Sequence, residues 1–293
     1  MKTRTMKSDL LLLLTSSIWG FAFVAQRAGM EHVGPFTFNA VRFALGSLAL
    51  LPFVYFFHKG NKQNGQKVFI NKSLLWGGSL AGFALFMGSS FQQIGIVYTT
   101  AGKAGFITGL YVILVPIMGL AWHHRAGTGT WLGAVLAVIG LYLLSVKQDL
   151  SISSGDLLVL VSAFFWAAHV HIISWMAAKM DSLKIALVQF ITCSLLSFVG
   201  AAFLETITMT TLQKAAIPIL YAGLLSVGVA YTLQIVAQKD APPAHAAIIL
   251  SFESVFAVLG GWLLLGEILS LRGLAGCALM LLGMLLSQLS KQG

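Results

Sequence analysis

The sequence predicts an all-α polytopic membrane protein: ten transmembrane helices built as two inverted five-helix repeats. Three observations carry this. First, 58% of the 293 residues are hydrophobic and only 9% are charged, whereas a soluble domain carries about 25% charged residues. A mean hydropathy of +0.88 agrees. Second, apolar runs close to the roughly 20 residues needed to span a bilayer recur along the whole chain. Third, the second half repeats the first at a nearly constant offset. The 11% aromatic content excludes a disordered chain. Cys193 and Cys277 both lie within apolar runs, which excludes a disulfide framework.

Breaks at charge, Gly and Pro divide the chain into runs 9–28, 36–57, 73–97, 102–122, 130–146, 155–176, 184–204, 216–237, 243–265 and 269–288. The first follows Lys2, Arg4 and Lys7 and resembles a signal peptide. It lacks a convincing small-residue cleavage site before Gln26-Arg27, so it reads as an uncleaved helix. The fifth run is the shortest and leans on its neighbours. The connectors are too short for an extramembrane domain.

Basic residues set the orientation. Lys2, Arg4, Lys7, Lys59, Lys62, Lys67, Lys72, Arg125, Lys179, Lys184, Lys239 and Lys291 fall on one side, twelve in all. Five, Arg27, Lys103, Lys147, Lys214 and Arg272, fall on the other, and Arg42 within a span completes the eighteen. Both termini are therefore expected to be cytoplasmic, in a cell inner (plasma) membrane. The net charge of +9 is mostly this asymmetry plus attraction to anionic lipid; no nucleic-acid partner is needed.

At an offset of 147, Asp9-Leu-Leu matches Asp156-Leu-Leu, Trp19 matches Trp166 and Phe43 matches Phe190. After the third and eighth helices the offset is 142, pairing Gln92 with Gln234 and Ala104 with Ala246. Near the ends it is 143, pairing Gly133 with Gly276 and Gly140 with Gly283. The second half abbreviates the Lys-rich connector 58–72. Five helices per copy is an odd number, so the second copy enters the membrane upside down, as in secondary transporters that bind substrate between inverted repeats.

The segment Glu253-Ser-Val-Phe-Ala-Val-Leu-Gly-Gly-Trp-Leu-Leu-Leu-Gly-Glu267, followed by Gly273 through Gly283, resembles the end of an EamA repeat. Gly105-Phe-Ile-Thr-Gly-Leu-Tyr-Val-Ile-Leu-Val-Pro116, Trp19-Gly20 and Arg42-Phe43 fit the same pattern. The resemblance covers residues 8–146 and 155–288. It implies the drug/metabolite transporter superfamily, with ten helices, inverted five-helix repeats and export of small metabolites, amino acids or drugs. The first copy departs from the pattern in carrying His123-His124-Arg125 where the second has Gly266-Glu267.

Depth follows from a rise of about 1.5 Å per residue. Trp19 and Trp166 each lie roughly 15 Å into oppositely directed helices, at the centre of a core about 30 Å thick. Tryptophan favours interfaces, so a central pair reads either as cavity wall or as helix packing. Gln92 lies late in the third helix and Gln234 late in the eighth, at opposite mouths. There they could gate by alternating hydrogen bonds or act as inter-helix glue. Gln93, Tyr98, Tyr231 and Gln238 lie within reach.

Glu253 sits inside the ninth helix, where a carboxylate costs on the order of 3 kcal/mol to insert. It reads as a proton carrier, a substrate counter-charge or a structural carboxylate, and its mate is Tyr111. Arg42, roughly 10 Å below the outer surface, could attract a substrate anion, pair with a carboxylate or snorkel outward. Its mate is Gln189. Lys103 and His245 begin the fourth and ninth helices, where helix dipoles favour anions; they are otherwise interfacial residues.

His169 and His171 point about 200° apart on a helix and do not chelate one ion. No metal motif or phosphate loop occurs, so no metal or cofactor is expected. Gly78/Gly82, Gly105/Gly109 and Gly129/Gly133 read as packing positions.

The expected function is a secondary transporter working by alternating access, exporting small metabolites, with coupling to protons or simple facilitation both open. Its cavity of aromatics and amides (Trp19, Arg42, Gln92, Gln93, Tyr111, Trp166, Tyr231, Gln234) suits a small neutral or zwitterionic molecule. A monomer or homodimer is expected. A membrane-embedded enzyme is the alternative, but Glu253 is the sole intramembrane carboxylate, with Glu205 and Glu267 near helix ends. A channel would show rings of charge or repeated filters, and neither is visible.

Overall fold

A computed structural model describes residues 2–61, 71–120, 128–145 and 153–289, and among them every regular element is helical. In chain order these are α1 (Lys2–Gly29), α2 (Pro35–Asn61), α3 (Lys72–Ile96), α4 (Ala101–Gly109), α5 (Tyr111–Gly119), α6 (Thr128–Ser145), α7 (Ser154–Ala177) and α8 (Ser182–Leu204). After a short α9 (Met209–Lys214) come α10 (Ala216–Leu220), a π-helical stretch (Tyr221–Tyr231) and α11 (Thr232–Ala237), which run on as one span. The chain ends in α12 (Pro243–Ser251), α13 (Glu253–Leu265) and α14 (Leu271–Leu289).

Eight helical stretches are long and apolar enough to cross a membrane: Met6–Gly29, Pro35–Tyr55, Lys72–Ile96, Ala101–Gly119, Ser154–Ala177, Ser182–Leu204, Ala216–Ala237 and Pro243–Leu265. Each falls on one of the predicted runs. The other two predicted runs, 130–146 and 269–288, hold shorter apolar helices, Trp131–Leu144 and Leu271–Leu286. Trp76, Phe203, Ile217, Trp262 and Ile268 are exposed. So apolar an outer surface suits lipid rather than water.

Close approach at glycine organises the packing. The short helices α6 and α14 lie against each other, where a Cβ on Gly140 would sit 2.6 Å from the Gly276 carbonyl oxygen and one on Gly283 2.5 Å from that of Gly133. The same four glycines are paired by the internal repeat. Elsewhere the helices pack reciprocally between halves: α1 lies against the π stretch as α3 lies against α7, and α2 against the π stretch as α3 against α8.

The helix starts leave N–H groups that need acceptors, and two distant carboxylates supply them. Glu205 accepts from the Phe36 and Thr37 N–H groups at 2.8 and 2.7 Å, and Glu267 from those of Ala101 and Gly102 at 2.8 and 3.0 Å. Both carboxylates thus meet the positive ends of helix dipoles. Gly266, at φ 65°, makes the left-handed turn that sends the Glu267 N–H back to Gly261 O at 3.0 Å.

Two spans are broken at corresponding points. The α4–α5 span tightens at Leu110, where Ile113 N–H donates to Leu110 O at 2.9 Å. The α12–α13 span does so at Phe252, where Val255 N–H donates to Phe252 O at 3.0 Å. These bonds reach back three residues rather than four, the mark of a 3₁₀ turn. The offset of 142 that pairs Tyr111 with Glu253 also pairs Leu110 with Phe252.

Candidate functional site

Each break ends on a polar residue that opens the next helical segment, Tyr111 on α5 and Glu253 on α13. Both face a cavity of about 40 Å3 near mid-span, together with Trp19, Arg42, Gln92, Trp166, Tyr231 and Gln234. Gln26, Phe23, Thr108, His169 and Ser226 complete most of its wall.

Tyr231, at the end of the π stretch, is the centre of an aromatic cluster. Its ring centroid lies 4.5 Å from Trp19, 6.2 Å from Trp166 and 6.1 Å from both Phe43 and Phe190. The His169 ring meets it edge-on at 6.2 Å. Such tilted, stacked and edge-on contacts at these separations suit the ring quadrupoles. Three sequence mates therefore converge here, Trp19 with Trp166, Phe43 with Phe190 and Tyr111 with Glu253.

Arg42 is 2% exposed. Its guanidinium carbon lies 4.9 Å from the Phe43 centroid and 5.5 Å from that of Phe38. It forms no ion pair among the described residues. Cation–π contact compensates part of the burial, but Arg42 Nε has no hydrogen-bond partner, and neither has Gln234 Oε1. Buried polar groups are normally satisfied. Tyr111 and Glu253 face each other and interact across the cavity, so Arg42 Nε and Gln234 Oε1 are the atoms left to bind a guest there.

The first-half amides are tied together. Trp166 Nε1 donates to Gln92 Oε1 at 2.9 Å, and Gln92 Nε2 donates to Gln26 Oε1 at 2.9 Å. Thr108 Oγ1 adds a longer bond to Gln92 Oε1 at 3.4 Å.

Several sequence expectations are corrected by this geometry. Gln92 and Gln234 do not sit at opposite mouths; both line the one cavity, because helical side chains lean toward their own N-terminus and so reach back from late positions to mid-span. Gln93 is outside the cavity, donating to the Gln26 carbonyl at 3.3 Å. Arg42 does not snorkel. Gln238 donates to Val170 O at 3.3 Å, and Tyr98 is exposed. In keeping with their spacing, His169 and His171 go to separate partners, Gln189 Oε1 at 2.9 Å and Val115 O at 2.8 Å. The triplet His123-His124-Arg125 lies outside the described residues. Gln26 and Phe23 were missed, although they follow Trp19 at i+7 and i+4 and so share its helix face.

Lys103 and His245 are engaged rather than free for an anion. Lys103 Nζ lies 3.2 Å from Asp156 Oδ2, and Thr99 Oγ1 donates to Asp156 Oδ1 at 2.5 Å. His245 Nε2 lies 2.6 Å from Asp9 Oδ1. Each half's aspartate thus holds the other half's basic residue, at the two ends of the bundle. The burial differs: the Asp156 side chain is 2% exposed and that of Asp9 37%. Asp156→Asn is therefore expected to cost about 2 kcal/mol, the worth of a buried charged hydrogen bond, and Asp9→Asn under about 1 kcal/mol. Melting temperatures of the two variants in detergent check this, and equal losses would contradict it.

The model of the EamA-like transporter family matches the chain over residues 6–146 and again over 153–289. An uncharacterized transporter of Archaeoglobus fulgidus is 34% identical over 287 residues, covering 96% of this chain and 86% of that protein. The uncharacterized transporter YoaV of Bacillus subtilis is 23% identical, covering 94% of each chain. A solved crystal structure matches with a TM-score of 0.68 at 17% identity, covering 96% of each chain, a likeness of fold.

Proposed function

The chain belongs to the EamA-like transporter family, and from that premise we propose that it is a secondary transporter that carries a small zwitterionic or neutral metabolite through the central cavity by alternating access. The observation that carries this reading is the convergence of Arg42, Tyr111, Gln234 and Glu253 on one buried cavity, with Arg42 Nε and Gln234 Oε1 unpartnered. Arg42 takes an anionic group of the substrate, Glu253 a cationic one, and the rings of Trp19, Trp166 and Tyr231 the apolar remainder.

At about 40 Å3 the cavity has room for a few waters only, so the substrate enters by displacing the aromatic cluster. Ten spans in two inverted repeats supply the two equivalent openings, and the two separate stretches matched by one family model support that arrangement. We place both termini in the cytoplasm of a plasma-membrane protein, from the basic residues, and assign the direction as export, with Glu253 as the coupling site. Among the described residues Glu253 is the one carboxylate lining the cavity, which favours transport over catalysis.

The test is saturable movement of labelled amino acids and other small zwitterions in liposomes holding the purified protein. Trp19→Ala and Trp166→Ala are each expected to raise the half-saturation concentration about tenfold, the worth of one buried aromatic contact. No movement of any candidate, or tryptophan variants that saturate like the parent, overturns the proposal.

A further inference from the structure

Trp19 and Gln234 are the mates of Trp166 and Gln92, yet the two pairs are bonded differently. Trp166 Nε1 donates to Gln92 Oε1 at 2.9 Å. Trp19 Nε1 instead donates to the Ser226 carbonyl at 3.2 Å, two turns ahead of Gln234, whose Oε1 has no partner. The backbone is unlike in the same region. Residues 221–231 are π-helical, whereas their mates 79–89 lie in the unbroken α-helix α3. The Trp166 ring packs on Gly88, where a Cβ would meet it at 3.2 Å, whereas at Ala230, the mate of Gly88, Thr15 Oγ1 donates to the carbonyl at 3.3 Å.

Resting on the alternating-access reading, we infer that Gln92 and Gln234 are positioning residues that hold the two cavity tryptophans in turn. Gln92 holds Trp166 in the state seen here, and Gln234 holds Trp19 in the opposite state, after α1 slips along the 216–237 span. Slips between packed elements are an established kind of switching step, and π-helical turns recur at functional sites. The slip carries Trp19 from the Ser226 carbonyl toward the Gln234 amide and satisfies its orphaned oxygen. When Trp166 leaves Gln92, that amide keeps Gln26 and Thr108 as partners. Their mates around Gln234 are Ile173 and Leu250, which offer no hydrogen bond. Gln234 therefore has its full complement only in the opposite state.

The test uses the full chain in liposomes, spin-labelled across each end after Cys193→Ser and Cys277→Ser. One label pair, Lys7→Cys with Lys239→Cys, spans the end held by Asp9 and His245. The other, Tyr98→Cys with Ser153→Cys, spans the end held by Asp156 and Lys103. Gln92→Met and Gln234→Met, which keep volume and remove the amide, are expected to shift the two distance populations in opposite directions. Each shift is about fivefold, the worth of one neutral hydrogen bond. Gln92→Asn and Gln234→Asn, which draw the amide back by one methylene, repeat the measurement with milder changes and are expected to move the populations the same two ways. A parent protein with one distance population at both ends overturns alternating access and this exchange with it. Two parent populations that the variants leave unmoved, or move together, overturn the exchange alone.

Discussion

Arg42→Met is expected to raise the melting temperature while weakening substrate binding about tenfold to a hundredfold, the range for losing one charged hydrogen bond. The two effects share one cause. Arg42 is a buried cation without an ion-pair partner among the described residues, held over Phe38 and Phe43 with Nε unsatisfied. Burying a charge is costly when it is not paired, so an unbranched apolar side chain of similar length relaxes the fold. A group kept at such a cost serves something the resting protein does not contain, and stability gained with function lost is the usual trade at a binding site. Thermal unfolding in detergent and a saturation curve in liposomes, measured on one preparation, check both halves. A variant that melts lower and saturates like the parent would show Arg42 to be structural.

Glu253→Gln is expected to flatten the pH dependence of transport between about pH 5 and 8, with the variant otherwise folded. The argument rests on position. A carboxylate within a span costs on the order of 3 kcal/mol to insert and marks ion or proton pathways. Glu253 lies at the Phe252 break, 3% exposed, facing the cavity beside Tyr111. Glutamine keeps the shape and the acceptor oxygen but cannot release a proton. Initial rates across the pH range decide it: a profile unchanged from the parent's would remove Glu253 from coupling and leave it as a substrate counter-charge, tested by whether the variant binds zwitterions more weakly.

The helices were legible because lipid imposes a length and a polarity that composition alone reveals. Eight of the ten predicted runs are stretches long and apolar enough to span. The runs 130–146 and 269–288 were legible as apolar but not as short partners for each other; only the approach of Gly140 to Gly276 and of Gly133 to Gly283 shows that. The central tryptophans, Arg42, Tyr111 and Glu253 were visible as chemistry out of place in an apolar run. Gln26 is not legible in this way, since a neutral amide two turns from Trp19 on the same face gains meaning only when Gln92 arrives from another helix.

The sequence by itself determined the class of molecule, its long apolar helices and the offsets at which Tyr111 aligns with Glu253 and Trp19 with Trp166. Those are matters of composition and spacing, which act along the chain. Which polar groups meet was decided only by tertiary structure. Gln92 and Gln234 stand late in their helices, and no spacing rule says that both amides reach back to one cavity, or that Lys103 and His245 are spoken for by Asp156 and Asp9. Hydrogen bonds act over about 3 Å, so a partner's identity depends on how helices far apart in sequence are seated, down to a single turn.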